Sequence, residues 1–399
     1  MSWLLAFVGF ALLVLLHEFG HFVAAKAVGM RVERFSLGLG PLLVGVKRGE
    51  TTYGIAPIPL GGYVKITGMN PYELEGGGPP RRGAMAALEG GPDPATATVA
   101  ATDPAILARA YYRQPVWKRI VVIAAGPAVN IFIAFLIFGG LFLAQGYDTG
   151  QPSASVNSIV RGAPAASVLR PGDQIVSVDG VTCAKQTTAC LAKFSAQIAT
   201  HTCAVTPPVA GCRAKTPVRL VVRRGSGTLA VSAFPRYDTT VKPPRPRLGF
   251  AFGDRVLPQN AAQAAGNSVK EIGHVTSITV TKIVGVFFSS KDRKQVNSVV
   301  GGYEYTRQAF SFGVSAALSI LGLISLSLGI INLFPFLPLD GGHIFWAVGE
   351  KLRGRAIPFA VMERASAVGI ALVLFLFLIG FTNDVNTLTN GGFHLGSGH

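Results

Sequence analysis

Apolar residues in this chain are bunched into four long runs, and the stretches between them carry other periodicities. The runs cover Trp3 to Val28, Ile120 to Ala144, about Ala316 to Leu339 and about Ala365 to Phe381. A helix needs ~20 consecutive apolar residues to cross a bilayer, so each run predicts a transmembrane helix. Between the first two lie strand-like runs, Phe35–Val46, Thr51–Ile55 and Tyr63–Thr67, broken by Gly and Pro. Residues 70–108 are rich in Gly, Pro and Ala and read as a linker without fixed structure. Beyond the second run, Val156–Val160, Gln174–Val178, Val218–Arg223 and Leu229–Phe234 have strand character, the last two joined by a Gly225-Ser226-Gly227 turn. Val269 to Phe288 has the pattern of an amphipathic helix at a membrane surface.

The expected fold class is a polytopic α-helical membrane protein. It has four transmembrane helices, a membrane-associated β segment and an inserted extracytoplasmic α/β domain. The expected order is a first transmembrane helix over 1–28, the β segment over 29–69, a flexible linker over 70–114 and a second transmembrane helix over 115–145. The inserted domain follows over 152–236, then a connector with the amphipathic helix over 237–312 and a third transmembrane helix over 313–345. A cytoplasmic loop over 346–364, a fourth transmembrane helix over 365–385 and a tail over 386–399 complete it.

Composition agrees with this division. Of 399 residues, 49% are hydrophobic and 14% charged, against about 25% charged in soluble proteins. The formal charge of +16 is dispersed and comes without any nucleic-acid-binding motif; contact with anionic lipid, or a basic soluble domain, is the account it implies. The first run has no basic segment before it and is too long for a cleaved leader. Lys26, Arg31, Arg34, Arg113, Lys118 and Arg119 flank the loop between the first two runs, and Lys351, Arg353, Arg355 and Arg364 lie between the last two. No Lys or Arg follows the second run until Arg161, and none follows the fourth. The positive-inside rule then places both termini and the 146–314 segment outside, with 29–116 in the cytoplasm.

The four cysteines, Cys183, Cys190, Cys203 and Cys212, all fall in that outside segment, where disulfides form. Three pairings are open. Cys203 with Cys212 closes a Pro-rich excursion and leaves Cys183 with Cys190; a zinc knuckle is the alternative, which the spacing suits poorly.

The first run carries His17-Glu18-Phe19-Gly20-His21. Four residues apart on a helix, His17 and His21 share one face and can reach one zinc ion, with Glu18 as general base toward water. Ionisable groups inside a membrane each cost a few kcal/mol unless paired or coordinated. A polar helix–helix contact or a proton relay is the blander account. A catalytic zinc needs a third protein ligand. The best candidate is Asp340, in the run Asn332 to His343 that ends the third apolar stretch; His343 is a rival, and helix capping is the alternative role for Asp340. Pro335, Pro338 and Gly341-Gly342 break the helix there, and irregular backbone at membrane depth is tolerated where it lines a cavity or is buried.

These motifs resemble the site-2 protease family of intramembrane zinc metalloproteases, in its bacterial RseP-like branch with a PDZ domain. The resemblance rests on His17–His21, on Asn332 to Gly342, and on Gly126-Pro127 with Asn130 in the second apolar run. It also rests on Gly38-Leu39-Gly40-Pro41 and Pro59 to Val64 in the β segment. The string Ala166, Leu169, Pro171-Gly172-Asp173, Ile175 and Val178-Asp179-Gly180 resembles a bacterial PDZ domain, which captures a peptide as an added strand. The resemblance implies Zn2+ held by His17, His21 and Asp340, Glu18 as base, and Asn332 holding the substrate backbone or stabilising an oxyanion. It implies that Gly61, Gly62 and Tyr63 pair with an unwound substrate strand. The implied substrates are single-span membrane proteins of the anti-sigma-factor type, first trimmed by a site-1-type protease. The implied setting is the plasma membrane, the inner one of the cell, with the active site toward the cytoplasm. Two departures stand out. Val299 to Tyr303 lacks the proline that the family often carries before its third span, and the PDZ-like segment holds a Cys-bearing insertion. Two rival readings are a non-catalytic PDZ scaffold or chaperone, and a transporter using the intramembrane His and Glu. Glu18 and both histidines are present, against the first, and no inverted repeat is visible, against the second.

Overall fold

The computed structural model describes residues 2–69, 103–160, 162–241, 243–294, 296, 298–355 and 357–389. The linker and tail readings fall largely outside these residues. The chain divides into two compact units, one made of residues 1–141 with 262–399 and the other of 142–261.

In the first unit, α1 runs over Ser2–Ala27. A four-stranded sheet follows, built from β1 (Val32–Leu39), β2 (Val44–Arg48), β3 (Thr51–Ile55) and β4 (Ile58–Ile66) in the order β2-β3-β1-β4. The sequence pattern gave one strand over Phe35–Val46; in the structure it breaks at Gly40-Pro41 into β1 and β2, as a prolyl residue cannot donate to a ladder. β1 pairs in parallel with β3 and antiparallel with β4, so β4 forms one edge. Residues 104–108 and 111–113 are helical, where the expectation is a flexible linker over 70–114. Asp103 caps α2 (Pro104–Ala108) by accepting from the Ala105 N–H at 2.8 Å. Then α3 spans Val116–Gln145 with Pro127 inside it.

The second unit is a β domain with one long helix. β5 (Tyr147–Ile159), β6 (Gln174–Val178), β7 (Val181–Thr182), α4 (Thr188–Ala199), β8 (Val218–Arg224) and β9 (Gly227–Ala233) follow in order. β10 (Arg236–Asp238) and β11 (Arg245–Arg247) form a small ribbon, and β12 (Phe250–Leu257) returns to β5. The main sheet has the order β12-β5-β6-β8-β9, with β7 against β6. Its core gathers Val156, Ile175, Val178, Val218, Leu220 and Val222 under Phe194 of α4. The Pro-Gly-Asp turn is held by Asp173, whose buried carboxylate accepts from Arg224 Nη2 at 2.6 Å and the Arg170 N–H at 2.8 Å. The Arg224 hydrogen bonds hold that carboxyl below the usual range against its burial. Both disulfides lie here, Cys183–Cys190 and Cys203–Cys212.

The chain then re-enters the first unit with α5 (Ala261–Phe288), the short α6 (Ser290–Arg293), α7 (Val299–Phe312), α8 (Val314–Asn332), α9 (Asp340–Arg353) and α10 (Phe359–Thr389). Among the described residues, five helices are long and apolar enough to cross a membrane: α1, α3, α5, α8 and α10. The apolar runs predict four spans and a surface helix over 269–288. α5 is the least apolar of the five and carries Lys270, Glu271 and Lys282. Phe7 of α1, Phe132 of α3 and Phe375 of α10 are exposed, as lipid-facing side chains are. α8 stops at Asn332, short of the apolar run, because Pro335 and Pro338 follow.

Candidate metal centre

His17 and His21 sit one turn apart on α1, and both are buried. Asp340 opens α9, just beyond the irregular segment 333–339. That segment folds back tightly: a side chain at Gly341 would overlap the backbone of Leu333 and Phe334. Only glycine lets the start of α9 lie so close to the end of α8, and this places Asp340 beside the histidine pair.

Three donor atoms meet there. His17 Nε2 lies 3.2 Å and His21 Nε2 3.3 Å from Asp340 Oδ2, and the two Nε2 atoms are 3.3 Å apart. Two ligand atoms each about 2.05 Å from a zinc ion, at a tetrahedral angle, are themselves about 3.3 Å apart. The triangle therefore has the size of one face of a zinc tetrahedron. The donor chemistry agrees. Nδ1 of His21 is 2.8 Å from the Val122 carbonyl, which can only accept, so it carries the ring proton. The neutral ring then turns a lone pair on Nε2 toward the carboxylate, and a cation between them resolves that opposition. Asp340 Oδ2 is buried and takes no hydrogen bond. Among the described residues this is the group of three His, Cys, Asp or Glu side chains able to hold a metal; His343 lines the same cavity but is not in it.

α3 closes the far side of both rings. A side chain at Gly126 would overlap the His21 imidazole. Asn130, fully buried, sets its amide 3.1 Å from His17 Nδ1. Gly126 and Asn130 belong to one motif of the second apolar run, and sequence alone assigns neither a task. The available signal was one uncharged polar side chain inside an otherwise apolar run.

A cavity of about 1680 Å³ reaches this centre. Glu18, Gly61, Gly62, Tyr63 and Asn332 line it together with the three metal-ligand candidates, so every residue given a catalytic, metal-binding or substrate-binding role from sequence faces one space. Its remaining walls are mostly apolar side chains of α1, α8 and α10, with Ser298, Gly302 and Tyr303 at the start of α7. Gly62 of β4 lies against Glu18, whose Cγ a methyl group there would overlap. The guanidinium of Arg34 stacks over the Tyr63 ring, 5.2 Å from its centroid.

Comparison with known proteins agrees with this chemistry. The model of peptidase family M50 matches residues 5–376. A candidate zinc metalloprotease of Brucella suis is 28% identical, covering 93% of this chain and 92% of its own. One of Agrobacterium fabrum is 27% identical over 95% of this chain and 94% of its own, and one of Clostridium acetobutylicum 25% identical over 96% of each. The PDZ domain of the SdrC-like protein of Listeria monocytogenes is similar at 21% identity and a TM-score of 0.18, covering 27% of this chain and 88% of that one.

Proposed function

The chain belongs to peptidase family M50, the site-2 zinc metalloproteases, and we propose that it hydrolyses peptide bonds within transmembrane segments of single-span membrane proteins, with His17, His21 and Asp340 as its zinc ligands. The observation that carries this reading is the triangle of donor atoms, 3.2–3.3 Å on a side, opening into a cavity walled by membrane-length helices.

Zinc held there supplies Lewis acidity toward water and toward the scissile carbonyl. Glu18, beside the ligands on α1, takes the proton from the attacking water and returns it to the departing amine. Asn332 donates an amide hydrogen bond to the developing oxyanion. A transmembrane helix hides its carbonyls in internal hydrogen bonds, so the substrate must first be extended. β4 is an edge strand beside Glu18, and Gly61, Gly62 and Tyr63 pair with the extended substrate as one more strand. The apolar walls accept substrate side chains and keep bulk water out.

In this proposal the substrates are of the anti-sigma-factor type, trimmed beforehand by a site-1-type protease. The 152–236 domain acts as a PDZ-like reader or size filter outside the plasma membrane. The Lys and Arg distribution supports an active site facing the cytoplasm and termini facing outside; reporter fusions at residues 100 and 389 test this sidedness. The test of the reaction is cleavage of a single-span substrate in liposomes by wild type and by Glu18→Gln. Wild type cleaves and the variant does not; equal cleavage by both would remove Glu18 from the reaction, and cleavage by neither with zinc bound would favour a non-catalytic scaffold.

A further inference from the structure

We infer that Asn130 is a positioning residue for the metal centre: its amide carbonyl accepts the Nδ1–H of His17 and so fixes the tautomer that turns Nε2 toward zinc. The inference rests on His17 being a zinc ligand.

The geometry carries it. His17 presents Nε2 to Asp340 and His21 at 3.2 and 3.3 Å, so Nδ1 is the nitrogen turned away from the ligand triangle. A neutral imidazole that donates its Nε2 lone pair to a metal must keep its proton on Nδ1. That proton needs an acceptor, and the amide of Asn130, 3.1 Å away, is the side-chain partner of Nδ1. The carbonyl of Asn130 is buried and accepts no hydrogen bond when the amide nitrogen faces the ring. That orientation sets an N–H against an N–H. Exchanging the two ends of the amide, which have nearly the same shape, gives the ring its acceptor and the carbonyl its donor. His21 is oriented by the same helix in the same way, through the Val122 carbonyl at 2.8 Å. α3 thus supplies one acceptor for each imidazole of α1.

Asn130 is held in place for this. It is fully buried, and its backbone carbonyl accepts from Ser325 Oγ of α8 at 2.9 Å. Gly329 of α8 leaves room for its Cβ, since a side chain there would come within 3.3 Å. A residue wanted only for packing in this apolar interface would not carry an amide, because a buried polar group without a partner costs stability.

The test measures zinc affinity by chelator competition and records the d–d spectrum of the cobalt-substituted protein. Wild type, His17→Ala, Asn130→Asp and Asn130→Leu are compared in detergent. Asp presents only acceptor oxygens, whereas Leu has the volume and no acceptor. The expected result is one tightly held zinc in wild type and its loss in His17→Ala. Asn130→Leu is expected to weaken zinc by about 10–100-fold with an altered cobalt spectrum, and Asn130→Asp to stay within about threefold of wild type. Metal-free Asn130→Leu should still fold and melt below metal-free wild type, since the buried His17 N–H loses its acceptor; if the Leu variant does not fold, Asn130→Asp against Asn130→Ala makes the same comparison. Wild-type affinity and spectrum in Asn130→Leu would overturn the inference while leaving His17 a ligand. So would an Asp variant as weak as Leu, which would mean that the amide donates. Unchanged zinc in His17→Ala would overturn the ligand assignment itself.

Discussion

Gly62 of β4 lies against the side chain of Glu18 on α1, so closely that a single methyl group there would overlap Glu18 Cγ. The edge strand offered to a substrate and the proposed general base are therefore in contact. Gly62→Ala must move one of them. The expected outcome is at least a tenfold fall in kcat with zinc content unchanged, since misplacing a reacting group by about 1 Å costs up to 100-fold. Turnover of a single-span substrate beside metal analysis checks it.

Gly126 makes the equivalent contact from α3, against the His21 ring. Gly126→Ala should weaken zinc as well as activity, because the displaced group is a ligand. Overpacking of this kind also costs about 1–3 kcal/mol, read as a lower melting temperature. Zinc affinity equal to that of wild type would show that the ring has room to move.

Glu50, in the turn between β2 and β3, ties the sheet to its neighbours. It accepts from Arg109 Nη1 at 2.7 Å and Nη2 at 2.9 Å, and from Lys26 Nζ at 2.5 Å. The Arg109 hydrogen bonds, aided by Lys26 and opposed by desolvation, push its pKa down from 4.5 to about 2. A carboxyl depressed in the folded state stabilises fully above its unfolded pKa, and that contribution is lost as pH falls through the folded one. Between about pH 4.5 and 2 the wild type should therefore lose stability that Glu50→Gln lacks at every pH. Melting curves across that range check it; identical pH slopes would contradict it.

Asp384, fully buried in α10, caps α7 from outside that helix. Its Oδ2 accepts from the Ser298 N–H at 2.8 Å, the Ser298 hydroxyl at 2.5 Å and the Gly301 N–H at 2.9 Å. Losing a cap costs about 0.5–2 kcal/mol. Asp384→Ala should raise hydrogen exchange through 298–312, which borders the cavity, and leave β1–β4 as protected as before. Unchanged exchange there would show that α7 is held by packing alone.

Much of this was legible in the sequence, for identifiable reasons. The apolar runs had to become helices because backbone polar groups need internal partners in lipid. His17 and His21 share a face because four residues make about one turn. Asp340 could be singled out because prolines just before it and glycines just after it interrupt an apolar run. Three features were not legible. Asn130 meets His17 across 113 positions, and no local pattern encodes which polar side chain of one helix faces which ring of another. Val122 contributes only its carbonyl, which every residue has. α5 begins at Ala261 rather than at 269 because its first turns are polar enough to resemble a loop.

Zinc content, measured beside cleavage of a single-span substrate, bears most directly on the proposed centre. One zinc per chain should be present in wild type and in Glu18→Gln, and lost in His17→Ala, His21→Ala and Asp340→Asn, with only wild type cleaving. Full zinc occupancy in Asp340→Asn, or wild-type cleavage by Glu18→Gln, would contradict it.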